Sequence, residues 1–162
     1  MRQVQRISSQ THFEIFGDSS VKRLYRGVPR VSILHAMNWT QYLAWSGTIH
    51  RDIALAPLLP SPFNSARGPT KFYDYARIGA VGIYSSVVPY KDFVRDGIDG
   101  RLVDNDPEQW AQAIVALAGD PPLRKGMAVS ARERALGLLP PPIGNAALSS
   151  SCLLYTSPSP RD

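Results

Sequence analysis

The segment that most restricts the fold of this chain is the run Asp52-Ile-Ala-Leu-Ala-Pro57, which is almost continuously apolar. Such a strand is typical of a parallel sheet covered by helices on both faces, because a strand with one solvated face alternates with polar residues. A helical pattern precedes the run, and another follows it after a polar, proline-rich loop at 58–68. The run therefore predicts a parallel strand that is buried on both faces in an α/β fold.

Strand and helix patterns alternate along residues 1–137. Short apolar runs predict strands at 12–16, 31–36, 52–57, 81–84 and 101–103. Helical spacing and helix-start signals predict helices at 19–25, 38–49, 69–78, 90–95, 107–118 and 121–136. This alternation predicts one α/β domain with a doubly wound, Rossmann-like parallel sheet. In such sheets ligands bind beyond the carboxyl ends of the strands.

The helix that begins at Asn38 carries both a start signal and an aromatic face. Asn is a favoured N-cap, and Gln41 three residues later can complete a capping box. Apolar residues at helical spacing usually pack in a core, so we predict core packing for this face rather than ligand contact. The residues of the face are Trp39, Tyr42, Leu43, Ser46 and Ile49.

Composition and charge exclude several classes of protein. Hydrophobic residues make up 44% of the chain and charged residues 19%, which is the balance of a globular domain. The net charge of +5 arises within residues 1–51, where basic residues are scattered and not interleaved with stacking aromatic residues, so we expect no nucleic-acid partner. No apolar run approaches the roughly 20 residues of a membrane span, and no secretory signal is visible. We therefore expect a cytoplasmic protein, either free or peripheral to the membrane.

Motifs for common cofactors and nucleophiles are absent from the sequence. No Gly-x-Gly-x-x-Gly follows a strand, no Gly-Lys-Ser/Thr phosphate loop is present, and no Gly-x-Ser-x-Gly surrounds a serine. The three histidines lack metal-ligand spacing to carboxylates, and Cys152 is the only cysteine. We expect neither a bound metal nor a cofactor.

Residues 138–162 break the pattern of the preceding chain. They contain five prolines and five serines and have no apolar periodicity. The ending from Cys152 to Asp162 resembles translated adapter sequence that recurs at the ends of assembled reads. We therefore predict a disordered or non-native tail and assign Cys152 no role.

The strongest candidate site is the polar loop and helix start that follow the strand at 52–57. A helix that begins at Pro69 offers free N–H groups and the positive end of its dipole to an anion. Lys71 and Arg67 add positive charge there, and the oxygens of Asp74, one turn further on, suit ribose hydroxyls. The motif predicts either a phosphate-plus-ribose site or a surface ion pair between Lys71 and Asp74.

Several short stretches, each weak alone, occur in a specific order and spacing between residues 13 and 136. They are Phe13–Asp18, Asp52–Leu58, Lys71-x-x-Asp74-Tyr-Ala-x-x-Gly79, Ser85–Tyr90, Asp96–Leu102 and Arg124–Arg132. Together they resemble the C-terminal, nucleotide-sugar-binding half of a GT-B glycosyltransferase of the group 1 family. The resemblance implies that residues 1–137 form an incomplete C-terminal half of the GT-B fold. It also implies that the whole enzyme transfers a sugar from a nucleotide-diphosphate donor, usually without a bound metal.

The resemblance also implies roles for residues of the loop and helix. The lysine and the helix start would neutralise the diphosphate, and the acidic residue one turn on would hold the donor ribose. The family's first acidic residue falls on Ala66, so a carboxylate contact with the donor sugar is not expected there. The residues predicted to bind the nucleotide sugar are Asn64, Arg67, Gly68, Thr70, Lys71 and Asp74.

Two other functions are consistent with the same residues. A related GT-B sugar-nucleotide enzyme, such as an epimerase, would need an acid/base residue elsewhere. A non-catalytic nucleotide-sugar-binding module is consistent with Ala66. For the glycosyltransferase, the resemblance implies a missing N-terminal acceptor-binding domain, a glycan or lipid-linked acceptor, and no turnover by this fragment alone.

Removal of residues 138–162 should change the free energy of unfolding by no more than about 0.5 kcal/mol, because changes outside packed structure have small effects. Urea denaturation of the shortened chain beside the full chain measures the difference. A larger loss would mean that the tail contributes to the folded structure.

Overall fold

This computed structural model describes residues 1–48 and 50–138. Five strands form the framework of these residues, in two sheets whose strands are parallel. The first sheet pairs β1 (Phe13–Phe16) with β2 (Val31–Leu34), and the second has the order β3 (Ile53–Ala56), β4 (Val81–Ser85), β5 (Arg101–Val103). The helices are α1 (Arg2–Ile7), α2 (Ser19–Leu24), α3 (Trp39–Ser46), α4 (Pro62–Ser65), α5 (Thr70–Ile78), α6 (Tyr90–Phe93), α7 (Pro107–Gly119) and α8 (Pro121–Leu138). Within this described part, no helix combines the length and apolar character needed to span a bilayer.

The predicted α/β class with parallel strands is confirmed. Each predicted strand and helix is present, with ends shifted by a few residues. The predicted capping box is also present, since the Asn38 side-chain Oδ1 accepts from the Gln41 N–H at 2.9 Å while the Gln41 Oε1 accepts from the Asn38 N–H at 3.2 Å. Residue 49 and the predicted tail beyond Leu138 lie outside the described residues.

Two short helices, α1 and α4, go beyond the sequence predictions. Val4 of α1 is fully buried where this helix packs on α7. The Gln5 amide nitrogen donates to the carbonyl of Pro29 at 2.5 Å. Helix α4 lies in the predicted loop and begins where the Ser61 hydroxyl accepts from the Asn64 N–H at 3.1 Å. These helices depend on distant contacts or on one cap, so no repeating apolar pattern indicates them.

The parallel strands predicted from the sequence are divided between two sheets. Within the described residues no backbone ladder joins β1 to β3. An ion pair connects the two sheets instead, because Arg51, directly before β3, lies 3.1 Å from Glu14 of β1. The carbonyl of Leu55 in β3 accepts from the Tyr75 hydroxyl of α5 at 2.7 Å. An apolar run predicts a strand but does not show which other strand it pairs with. The division into two sheets therefore could not be predicted from such runs.

The most buried strand is β4, not β3 as the apolar run predicts. Every residue of β4 is buried, because this strand pairs with β3 on one side and β5 on the other. In β3, which lies at an edge of its sheet, Ala56 is buried and the other residues are half-buried. The two strands pair in parallel, with Ile53 opposite Val81 and Leu55 opposite Ile83.

Side chains of β4 alternate between two apolar clusters, one on each face of the second sheet. Val81 and Ile83 belong to a cluster with α7 and the first half of α8, whereas Tyr84 belongs to one with α5, α6 and the second half of α8. Gly82 lies beneath the Tyr84 ring, where a Cβ would collide with that ring. Helices therefore cover both faces of this sheet, which confirms the doubly wound arrangement.

A buried ion triad holds α8 against the turn that follows α6. The Asp99 carboxylate is fully buried and accepts from the Arg95 Nε at 2.6 Å and from the Arg134 Nη1 at 2.8 Å. The guanidinium of Arg134 also lies 4.4 Å from the centre of the Phe93 ring. A buried carboxylate is stable only when it is paired with donors, so the triad holds the turn in place. The turn lies beside the cluster that contains Tyr84.

One buried hydroxyl group connects the carboxyl ends of all three strands of the second sheet. The Ser85 Oγ accepts from the Leu58 N–H at 2.7 Å and donates to the Asn105 Oδ1 at 2.6 Å. The Asn105 Nδ2 in turn donates to the carbonyl of Leu58 at 2.9 Å. Leu58 follows β3, Ser85 ends β4 and Asn105 follows β5, so this network, here called the Ser85 network, sets where the loops begin.

Replacement of Ser85 by Ala should lower the free energy of unfolding by about 2 kcal/mol, because a part-buried N–H and an amide oxygen both lose their partner. Urea denaturation of the full chain measures the loss. Ser65→Ala is the matched control, because its hydroxyl makes only an exposed bond to the carbonyl of Ser61, and we expect a change within about 0.5 kcal/mol. Equal stability of the two variants would contradict a structural role for the Ser85 network.

Candidate functional site

The loop that follows β3 is held in place by its own side chains. The Asn64 Nδ2 donates to the carbonyl of Leu59 at 2.8 Å, and the Asn64 N–H donates to the Ser61 hydroxyl. Together with the Ser85 network, these bonds anchor both the start and the middle of the loop. Asn64 therefore positions the loop in this structure, and its contact with a sugar stays a prediction.

Arg67 and Gly68 lie in the exposed turn between α4 and α5, where a Cβ added to Gly68 would meet no atom within 4 Å. The Arg67 guanidinium lies 5.8 Å from the centre of the Phe63 ring. Burial raises the pKa of the Tyr90 hydroxyl, and the charge of Arg67 opposes that rise. Arg67 is thus within electrostatic range of Tyr90, the first residue of α6.

Helix α5 begins at Thr70, and Pro69 is its N-cap rather than its first helical residue. No side chain caps this end. The Phe72 N–H donates to the Pro69 carbonyl at 2.9 Å, so the N–H groups of Thr70 and Lys71 and the positive end of the helix dipole are what this end offers to an anion. Both Thr70 and Lys71 are exposed, and the side chain of Lys71 is 52% exposed.

The Asp74 carboxylate is the meeting point of α5 and α3. Its Oδ2 accepts from the Tyr42 hydroxyl of α3 at 2.6 Å and lies 3.7 Å from the Lys71 Nζ. Its Oδ1 accepts from the Arg77 Nη2 at 2.9 Å, and the side chain is only 11% exposed. A carboxylate has about four acceptor positions, so little capacity is left for a ribose hydroxyl. The predicted ion pair with Lys71 is present, and the predicted ribose contact remains a prediction.

The prediction of core packing is wrong for Trp39, the first residue of α3. Trp39 is 64% exposed, and one face of its ring stacks on Tyr42 with the ring centres 5.7 Å apart. Tyr42 is half-buried between Asp74 and the Phe16 ring at the end of β1. Trp39 therefore lies at the surface beside the candidate site, because α3 contributes no residue to either apolar cluster and meets α5 through side-chain bonds of Tyr42 and Ser46.

Sequence analysis missed two of the three partners of Asp74. Tyr42 lies 32 residues away, so no local spacing indicates the bond. Arg77 follows Asp74 by three positions on the same helix, and this spacing was a usable signal for an ion pair. As for metals, no group of three or more potential ligand side chains is found in the ranges 1–48 and 50–138.

Replacement of Tyr42 by Phe should lower the free energy of unfolding by about 1–2 kcal/mol at pH 7, because a half-buried hydrogen bond to a carboxylate is lost. Urea denaturation measures the difference from the parent chain. Tyr25→Phe, on a tyrosine at the end of α2, is the control and should change stability by less than about 0.5 kcal/mol.

The difference between the parent and Tyr42→Phe should also depend on pH. Burial, reinforced by the Asp74 carboxylate, raises the pKa of Tyr42 from 10.0 to about 12. In the unfolded chain this tyrosine ionises at about pH 10. The stabilisation by the Tyr42 hydroxyl is therefore complete below that pH and is lost as the pH rises through the pKa of Tyr42 in the folded chain. A difference that stays constant between about pH 9 and pH 12 would contradict the bond.

Comparison with solved structures identifies the fold. No protein-family model matches the chain, and no curated protein matches it. Three similar solved structures come from bacteria. The C-terminal domain of a group 1 family glycosyl transferase from Francisella tularensis is 13% identical with a TM-score of 0.59, covering 74% of this chain and 60% of that one.

The other two are longer chains. A glycosyltransferase from Rickettsia africae is 14% identical with a TM-score of 0.65, and sucrose-phosphate synthase from Thermosynechococcus elongatus is 18% identical with a TM-score of 0.63. Each match covers 84% of this chain but only 38% and 37% of the other chain, respectively. The chain therefore spans a minor part of these two proteins. Its fold is that of the C-terminal domain of GT-B glycosyltransferases, as in the group 1 family protein.

Proposed function

We propose that this chain is the donor-binding part of a glycosyltransferase and that it binds a nucleotide-diphosphate sugar. The observation that carries the proposal is the start of α5, where an uncapped helix end, Lys71 and Arg67 lie together beyond the carboxyl end of β3. Parallel α/β sheets bind ligands at this edge. The similar structures are glycosyltransferases, which supports a sugar-transfer reaction as the chemistry.

The site has the charge that the reaction needs. Breaking the bond between a sugar and a diphosphate leaves negative charge on the departing phosphate oxygens. Lys71 and the N–H groups near Thr70 are donors for that charge, and their effect is largest where it develops in the transition state. Arg67 adds a second positive charge from the turn between α4 and α5. No bound metal is needed for this role.

Catalysis also needs an acceptor, and we propose that a further domain binds it. The chain spans well under half of two similar glycosyltransferase-fold proteins. We propose that an acceptor-binding domain closes over the carboxyl end of β3 and β4, and that a glycan or lipid-linked acceptor enters between the two parts. The 162-residue chain by itself is expected to bind the donor without turnover.

Binding without catalysis is the second candidate function, and two observations favour it. Position 66 is an exposed alanine at the end of α4, so no carboxylate is present there. The Asp74 carboxylate already accepts from Tyr42 and Arg77. A module with this site would hold a nucleotide sugar and leave its glycosidic bond intact.

Replacement of Lys71 by Ala should weaken the binding of a nucleoside diphosphate by about 1.5–3 kcal/mol, the contribution of a hydrogen bond to a charged group. Calorimetric titration of the full chain with ADP and UDP at low salt measures the affinity, since screening is smallest there. Lys125→Ala, an exposed lysine on α8, is the matched control and should leave the affinity unchanged.

Two outcomes would count against the proposed function. If the parent chain binds no nucleoside diphosphate at millimolar concentration, the proposed donor site does not exist. Equal affinities of the parent and Lys71→Ala would show that Lys71 and Asp74 form a surface ion pair only.

A further inference from the structure

We infer that Trp39 is a stacking platform for the base of the bound nucleotide and that it favours a purine over a pyrimidine. The inference rests on the proposed function, because it places the base of the same nucleotide whose phosphates lie at α5. The loop and helix that carry Lys71 and Asp74 account for the phosphates of the donor, and this inference assigns a contact to its base.

The first observation is that Trp39 presents an aromatic surface to solvent. One face of the indole packs on the Tyr42 ring, with an angle of 30° between the planes, and the residue is 64% exposed. A large aromatic ring left in water forgoes the burial that normally stabilises it. A flat ligand can cover the free face without any movement of the protein.

The second observation is the position of this surface. Trp39 follows the loop at the carboxyl end of β2, and Lys71 follows the loop at the carboxyl end of β3. The two loops belong to different sheets, but the helices that begin after them are joined by the bond from the Tyr42 hydroxyl to Asp74. The aromatic platform and the proposed phosphate site therefore lie near the starts of two helices in direct contact.

The third observation is a chain of side-chain contacts that joins the platform to the phosphate site. The Trp39 ring stacks on Tyr42, the Tyr42 hydroxyl bonds Asp74 at 2.6 Å, and the Asp74 Oδ2 lies 3.7 Å from the Lys71 Nζ. Aromatic ring, carboxylate and ammonium thus follow one another. A base on the ring and phosphates at the ammonium would be the two ends of one nucleotide, and the Asp74 carboxylate between them, already paired with Tyr42 and Arg77, need not bind the ribose.

The stacking surface also indicates which base is preferred. Stacking on an aromatic side chain depends on overlap of the ring faces, and every nucleobase has such a face. A purine has two fused rings and covers more of an indole than a pyrimidine does. We therefore expect a purine nucleoside diphosphate to bind more tightly than a pyrimidine one.

The test compares variants of position 39 by calorimetric titration of the full chain with ADP, UDP and inorganic pyrophosphate. Trp39→Ala should weaken ADP about tenfold and UDP less, and it should leave pyrophosphate unchanged, because pyrophosphate has no base to stack. Trp39→Phe should keep ADP within about threefold of the parent, since a ring face remains. Leu24→Ala, which removes an equally exposed apolar side chain from α2, is the control and should change none of the three affinities.

Fluorescence gives a second measurement. A base that stacks on an indole quenches its emission, so ADP should quench the parent, whereas Trp39→Phe should bind ADP without that quench. Trp45 and Trp110 stay in both proteins and serve as an internal reference.

The outcomes separate this inference from the proposed function. If Trp39→Ala binds ADP as tightly as the parent does, or if UDP binds more tightly than ADP, the stacking platform is wrong. The donor site still stands in that case, provided that Lys71→Ala weakens ADP and pyrophosphate alike. If the parent binds neither nucleotide nor pyrophosphate, the proposed function and this inference both fail.

Discussion

The Ser85 hydroxyl is the contact on which the arrangement of the candidate site depends. It bonds the backbone N–H of Leu58 and the side chain of Asn105, so the carboxyl ends of three strands are held by one buried group. The segment that leaves the end of β3 carries Arg67 and Lys71, the two positive residues of the proposed phosphate site. A buried polar group of this kind is stable only when fully paired, and the pairing is what fixes the loops.

A second set of polar contacts sets the position of α3 relative to α5. Asp74 accepts from Tyr42 at one oxygen and from Arg77 at the other, and the Arg77 guanidinium also donates to the Ser46 hydroxyl of α3 at 2.9 Å. The carboxylate, tied in this way, is a fixed spacer between an exposed indole and an exposed ammonium. The proposed site is therefore a row of groups on two helices. Helix α3 follows β2 of the first sheet, and α5 comes after β3 of the second sheet.

Local patterns predicted the elements of this fold well and their partners poorly. The capping box at Asn38, the strand at 52–57 and the helix that carries Lys71 were all predicted, because each depends on residues within one turn or one strand. The exposure of Trp39 was not, since an aromatic face at helical spacing looks the same whether it meets a core or a ligand. The central position of β4 was not predicted either, because apolar runs do not rank strands by burial.

The α/β class, the order of strands and helices, and the loop and helix start that carry Lys71 and Asp74 can all be predicted from the amino-acid pattern. These features follow from periodicity, caps and turn residues, which act over a few neighbouring positions. Three features are visible only in the folded chain: the division of the strands into two sheets, the bonds by which Ser85 joins three strand ends, and the contact of Tyr42 with Asp74 across 32 residues. Such contacts depend on which surfaces meet once the chain has folded, and a one-dimensional pattern contains no record of that meeting.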